Sequence, residues 1–247
     1  MKCIGKSDIG RLRDMNEDSF YVSPGPVGVF ERLFIVCDGM GGQDYGEVAS
    51  ALCVKTLVDF IAAAPMNMPL FIMEQAINEA NLAVRKEAER LHSNNMGTTL
   101  VMAGVISGHV YIMNVGDSRL YLLNQYAFSI RQVTRDHSYV EEMVHRGLMS
   151  RDSEAYRKNK HVITRAIGVY REVEPDSFEI EMTEGDLLLL CSDGLSNMVN
   201  NMVMKNLALD QSFGLEKRVD TLILEANRSG GRDNITVILA ECEEEDA

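Results

Sequence analysis

Two apolar runs in this chain stop at the same dipeptide. Leu33-Phe34-Ile35-Val36-Cys37 runs into Asp38-Gly39, and Leu187-Leu188-Leu189-Leu190-Cys191-Ser192 runs into Asp193-Gly194. A short, uninterrupted aliphatic run bounded by turn residues reads as a strand buried on both faces. A third run, Val110 to Val115, leads into Gly116-Asp117-Ser118-Arg119, and Asp233-Asn234 opens a last one, Ile235 to Ala240, after Gly230-Gly231. Near the start, Asn16-Glu17-Asp18 precedes the extended Ser19-Phe20-Tyr21-Val22. Any single Asp-Gly is an ordinary turn signal. Its recurrence at the ends of rigid strands is what a preorganised site requires.

If these aspartates converge, their mutual repulsion in a half-buried cleft raises their pKa values or unfolds the site unless a cation neutralises them. Convergence therefore implies metal. The candidate ligands are all oxygens, with no Cys or His cluster beside them, and hard oxygen sites suit Mg²⁺ or Mn²⁺. Two such ions sharing one water suit hydrolysis of a phosphoester.

The remaining pattern is mixed. Thr98 to Val105 and Arg119 to Leu123 also read as strands, and the short turns at Ser107-Gly108 and Gly116-Asp117-Ser118 favour antiparallel pairing over βαβ alternation. A helical stripe falls on Val48, Leu52, Val54 and Val58, and another on Met73, Ile77, Ala80, Val84, Ala88 and Leu91, entered through Pro69. Helices are also expected over Tyr139 to Arg146 and Leu215 to Asn227. The expected class is α+β with antiparallel sheets.

With 247 residues, no internal repeat and no linker-like segment, one domain is expected. The 24 basic and 37 acidic residues leave a net charge of -13, which disfavours nucleic acid and anionic membranes as partners. No stretch approaches the roughly 18 apolar residues of a membrane span, and the first residues lack a signal-peptide core, so the expected location is the cytoplasm. The five cysteines are odd in number and scattered, suggesting reduced thiols, several of them in the core.

Taken in order, eight segments make the chain resemble the metal-dependent protein phosphatases, the type 2C serine/threonine phosphatases, in their compact bacterial form. They are Arg13-Asp14-Met15-Asn16-Glu17-Asp18, Cys37-Asp38-Gly39-Met40-Gly41-Gly42, Gly97-Thr98-Thr99, Asn114-Val115-Gly116-Asp117-Ser118-Arg119, Asp136-His137-Ser138, Thr164-Arg165-Ala166-Ile167-Gly168, Ser192-Asp193-Gly194-Leu195 and Gly231-Arg232-Asp233-Asn234. The resemblance implies a four-layer α-β-β-α sandwich of two antiparallel sheets flanked by helices, with a dinuclear Mn²⁺ or Mg²⁺ centre at one end. It implies one catalytic domain over residues 1–241 and an acidic tail over 242–247. By position, Asp38 would bridge the ions, the Gly39 carbonyl would complete one, and Asp193 and Asp233 would hold the other. Glu17 and Asp18 would orient water, and Arg13 would bind phosphate through its planar guanidinium. The implied reaction is direct attack by the bridging water on phosphoserine or phosphothreonine. Implied partners are phosphoproteins and a cognate kinase, with the chain a monomer.

Two positions depart from the family. Met40 stands where some members carry a histidine proposed to protonate the leaving group, leaving a metal-bound water or His137 for that role. Asn197 stands where bacterial relatives carry an acid that, with the residue matching Asp117, holds a third ion; an amide is a weaker ligand, so a third ion should bind more loosely. From Arg146 to Arg165 six basic residues oppose two acidic ones, a local +4. In the family this stretch is a flap near the site, here either a phosphopeptide-docking surface or a solvated face balancing acidic neighbours. Rival readings are a silent phosphoprotein-binding relative and a nucleotide-binding enzyme; the glycine-rich 38–42 segment matches neither the P-loop nor the dinucleotide fingerprint.

Overall fold

The apolar runs are continuous because both faces of each sheet are covered. The computed structural model describes residues 1–40, 45–65 and 68–242. Along the chain the strands are β1 (Lys2–Asp8), β2 (Asp18–Val22), β3 (Arg32–Met40), β4 (Gly97–Thr98), β5 (Leu100–Ile106), β6 (His109–Val115), β7 (Arg119–Asn124), β8 (Ser129–Gln132), β9 (Asp176–Glu181), β10 (Asp186–Cys191) and β11 (Ile235–Glu241). The helices are α1 (Gly46–Ala63), α2 (Pro69–Leu91), α3 (Tyr139–His145), α4 (Glu154–Asn159), α5 (Asp193–Ser196), α6 (Asn201–Ala208) and α7 (Leu215–Arg228).

One sheet has the order β1-β11-β10-β7-β8 and the other β2-β3-β5-β6-β9, with β4 paired to the end of β3; every pairing is antiparallel. The period of two along each strand divides its residues between two apolar environments. Phe34, Val36, Val101, Ile112, Leu188, Leu190 and Ile238 meet between the sheets. Their alternate neighbours Leu33, Ile35, Cys37 and Met102 pack under α1 and α2. Leu187, Leu189, Cys191, Val237 and Leu239 pack under α6 and α7. Four layers result, as expected. Each large side chain fully buried in them contributes about 1.5–3 kcal/mol by removal from water.

The differences from expectation are local. In α1 the fully buried ridge is Ala49, Cys53, Leu57 and Ile61, while Val48, Leu52, Val54 and Val58 are only partly covered. This helix is apolar on most sides, because it packs on both the sheet and α2, so its sequence does not single out one stripe. The second stripe holds: Met73, Ile77, Ala80, Val84 and Ala88 are buried, after Pro69 at the first turn. The strand expected over 98–105 breaks at Thr99, a residue with its own task in the site. The acidic end begins inside the fold. Glu241 closes β11 and pairs with Arg218, Nη2 to Oε2 3.1 Å, and Cys242 is buried; residues 243–247 lie outside the described residues. Cys37, Cys53 and Cys191 are also buried, and none of the five cysteines is in a disulfide among the described residues. No helix among the described residues is long and apolar enough to cross a membrane.

Candidate metal centre

The β2–β3 pairing sets the first two carboxylates opposite each other, Asp18 against Asp38. The strand does not turn at Asp38-Gly39, as the dipeptide suggests, but continues to Met40. Gly39 is required for a different reason: a Cβ there would collide with the backbone oxygens of Gly46 and Glu17. Gly194 likewise sits against the carbonyl of Asn234, on the first turn of α5. Both glycines allow backbones to close on an aspartate. Gly41 and Gly42 lie outside the described residues.

Thr98 and Thr99 fasten the Asp38 backbone from the break between β4 and β5. Thr99 N–H donates to the Asp38 carbonyl (2.9 Å), Asp38 N–H donates to Thr99 Oγ1 (3.0 Å), and Thr98 Oγ1 donates to the same carbonyl (2.9 Å). Asp18 is held from the opposite sheet, with Oδ2 accepting from Thr236 Oγ1 (2.6 Å) and Ser192 Oγ (2.8 Å). Asn234 ties down the entry segment, accepting from Glu17 N–H on Oδ1 and donating to the carbonyls of Ile9 and Met15. Asp233 caps its own neighbour, Oδ1 to Asn234 N 2.9 Å, and its Oδ2 accepts from Arg13 Nη2 at 2.8 Å. Arg13 also stands 3.7 Å from Glu17.

These residues surround one cavity of about 290 Å³, lined by Arg13, Glu17, Asp38, Gly39, Met40, Thr99, Asp117, His161, Ile163, Asp193 and Asp233. All the expected residues therefore meet there except Asp18, whose carboxylate is held by Ser192 and Thr236 instead. The electrostatics are those of like charges crowded out of water. Burial pushes Asp38 well above the usual carboxylate range, reinforced by Asp18, Asp193, Asp117 and Asp233. Asp18 rises to about 7 through burial, against the pull of its Thr236 and Ser192 hydrogen bonds. Burial and then Asp193 raise Asp117 to about 8, and burial and then Asp233 raise Asp193 to about 6. Glu17 is also raised, chiefly by burial.

Two buried oxygens, Asp18 Oδ1 and Asp193 Oδ1, have no hydrogen-bond partner. Unpaired carboxylate oxygen beside repelling neighbours is the environment a hard cation satisfies. Among the described residues no three His, Cys, Asp or Glu side chains stand close enough to enclose a metal ion by themselves. The cavity and the mutual repulsion weigh more, because Mg²⁺-like ions keep several waters and take few protein ligands each.

Sequence reasoning missed His161, which reaches the cavity from the segment after α4. It also gave no role to Thr98, Thr99, Ser192, Asn234 and Thr236, although all but Thr236 lie inside the quoted motifs. His137 is turned away: it is buried, with Nδ1 accepting from Gly116 N–H (3.2 Å) and Nε2 3.2 Å from Asp176 Oδ2. These contacts make it a structural residue of the segment that leads into α3. The basic insert is balanced in part from outside it: Arg151 forks onto Glu141 and Arg165 pairs with Asp176, while Lys158 pairs with Glu154 of the insert itself, pairings that favour the balancing face over a docking surface.

Comparison with known proteins agrees with this geometry. Residues 11–223 match the model of the family described as protein phosphatase 2C. The serine/threonine phosphatase stp of Listeria monocytogenes serovar 1/2a is 39% identical over 246 residues, covering 96% of this chain and 94% of that protein. The S. agalactiae serine/threonine phosphatase superposes with a TM-score of 0.90 at 32% identity, covering 98% of this chain and 99% of the other. The catalytic domain of the serine/threonine protein phosphatase PstP, solved in complex with two manganese ions, superposes with a TM-score of 0.83 at 33% identity and 97% coverage of both chains. With one cavity gathering the motif aspartates and these relatives spanning nearly its whole length, this chain belongs to the protein phosphatase 2C family.

Proposed function

We propose that this chain is a metal-dependent serine/threonine protein phosphatase, hydrolysing phosphoserine and phosphothreonine by direct attack of water, with no phosphoenzyme. The observation that carries the reading is the meeting of Asp38, Asp193 and Asp233, from three distant stretches of chain, with Arg13 around one cavity. The oxygen donor set fits two divalent cations, Mn²⁺ or Mg²⁺, which Asp38, the Gly39 carbonyl, Asp193 and Asp233 would hold. The manganese-bound PstP domain supports that fit. When bound, such ions supply activated water for in-line attack and neutralise charge on the phosphoryl group.

The protein's own groups do the rest. Glu17, on the cavity wall, would orient water there, and Asp18 would do so only through its unpartnered Oδ1. Arg13 is anchored by one amino group on Asp233, leaving further N–H donors of its fork for phosphate oxygens. A departing serine or threonine alkoxide needs a proton, and with His137 turned away the imidazole placed to give it is His161. Nothing in this cavity resembles an activated cysteine, since Cys37 and Cys191 are buried in the helix-facing cores.

The substrates are phosphoproteins made by a cognate kinase, and the chain acts as a cytoplasmic monomer whose net charge of -13 keeps it from nucleic acid and anionic lipid. The test is phosphate release from a phosphothreonine peptide with Mn²⁺ and with chelator. Release should require the metal and fall at least about a hundredfold in Asp38→Asn. Peptide binding without release by the wild type would instead identify a silent phosphoprotein-binding relative.

A further inference from the structure

Next to the cavity, and sharing Asp117 and Asp193 with it, lies a small space lined by a cationic side chain. Lys160, at the C-terminal end of α4, donates from Nζ to Asn197 Oδ1 at 2.8 Å. Asn197 in turn donates from Nδ2 to Asp193 Oδ2, also at 2.8 Å. This relay spends one oxygen of Asp193 and leaves Oδ1, buried and unpartnered, for a ligand. The space that Asp117, Asp193, Asn197 and Lys160 line together with the Arg119–Asp136 pair and neighbouring hydroxyls is about 20 Å³. That volume holds roughly one water and not a cation with its water shell. The lysine is delivered by an anchored element: Ser153 caps α4, Tyr156 OH donates to Glu141 Oε1, and Arg151 forks onto the same carboxylate.

We propose that Lys160 is a built-in cation and, through Asn197, a positioning residue for Asp193. Its ammonium takes the place beside Asp117 and Asp193 that a further divalent ion would need, so the chain works with two ions and holds the flap shut over them by the same contact. A divalent ion arriving there meets a like charge, and the neutral Asn197 amide offers it little in exchange. The proposal rests on the two-metal phosphatase reading above.

Calorimetric titration of the full chain with Mn²⁺ tests it without recourse to activity. Wild type and Lys160→Arg should saturate at two ions per chain. Lys160→Gln can still hydrogen-bond Asn197 but carries no charge, and should take up a further ion; adding Asn197→Asp should tighten that extra event at least about tenfold. Both positions are outside the apolar cores, and a native-like circular dichroism spectrum with one cooperative unfolding transition in chelator checks that each variant is folded, whatever the shift in midpoint that the changed charge brings. Three ions in wild type would overturn the proposal, as would two in Lys160→Gln and two in the double variant. A wild type that binds no Mn²⁺ would break the phosphatase reading itself, and the proposal with it.

Discussion

Two charged clusters sit side by side at the same end of the sandwich and solve burial in opposite ways. Around Arg119 the protein balances its own charge. Nε and Nη2 fork onto Asp136 at 2.6 to 3.1 Å, Nη1 reaches Tyr121 OH at 3.0 Å, and Gln132 fills a further site on Asp136. Burial works against the Arg119 charge, yet Asp136 and Tyr121 hold its pKa well above the ordinary value. A few residues away, Asp38, Asp117 and Asp193 are buried among one another without comparable compensation. The first cluster is stable as built, whereas the second is left in deficit for a partner from outside. A fold that can pair Arg119 so completely has left the aspartates unpaired at a place where it requires a ligand.

Substitution separates the two most sharply when activity and stability are read together. Asp38→Asn should cost at least about a hundredfold in phosphopeptide turnover while raising the unfolding midpoint in chelator, because it removes a charge its neighbours repel. Asp136→Asn should do the reverse to the fold, losing about 3–5 kcal/mol by stranding the Arg119 guanidinium, with chelator making no difference to the loss. Equal thermal behaviour of the two variants would remove the distinction.

The pH dependence follows from the same deficit. Asp18, Asp193 and Asp117 have folded pKa values raised to about 7, 6 and 8, above their unfolded value of 3.8. The folded chain therefore binds more protons than the unfolded one, and stability present below pH 4 is lost as pH rises through about 8. Denaturant midpoints in chelator should fall across that interval, and saturating Mn²⁺ should flatten or invert the trend. The smallest effect is expected on the flap surface: Lys158→Glu, whose ammonium already pairs with Glu154 at 2.7 Å, should change KM for an acidic phosphopeptide by no more than about twofold.

The strands and their aspartates were legible because a run apolar on both faces has few alternatives to a doubly covered strand, and because a carboxylate after such a run stands out against it. The glycines beside them were legible only as punctuation. Their actual task at Gly39 and Gly194, room for a neighbouring backbone, depends on residues far away in sequence. The same holds for Thr98 and Thr99, which read as part of one strand and instead interrupt it to fasten Asp38. β1, β8 and β9 were missed because each lies at a sheet edge, where one side needs no partner and the apolar pattern is weak. His161 and Lys160 lay in a stretch read by its net charge, which conceals that each of these two residues has a separate place.

Asp18 stands on one sheet and takes its two hydrogen bonds from Thr236 of the other and from Ser192, just past the end of β10. The proposed metal centre is thus stitched across the seam of the sandwich. Neither half of this chain can be grafted into another scaffold with the chemistry intact, and any sliding of one layer past the other is felt first by the carboxylates.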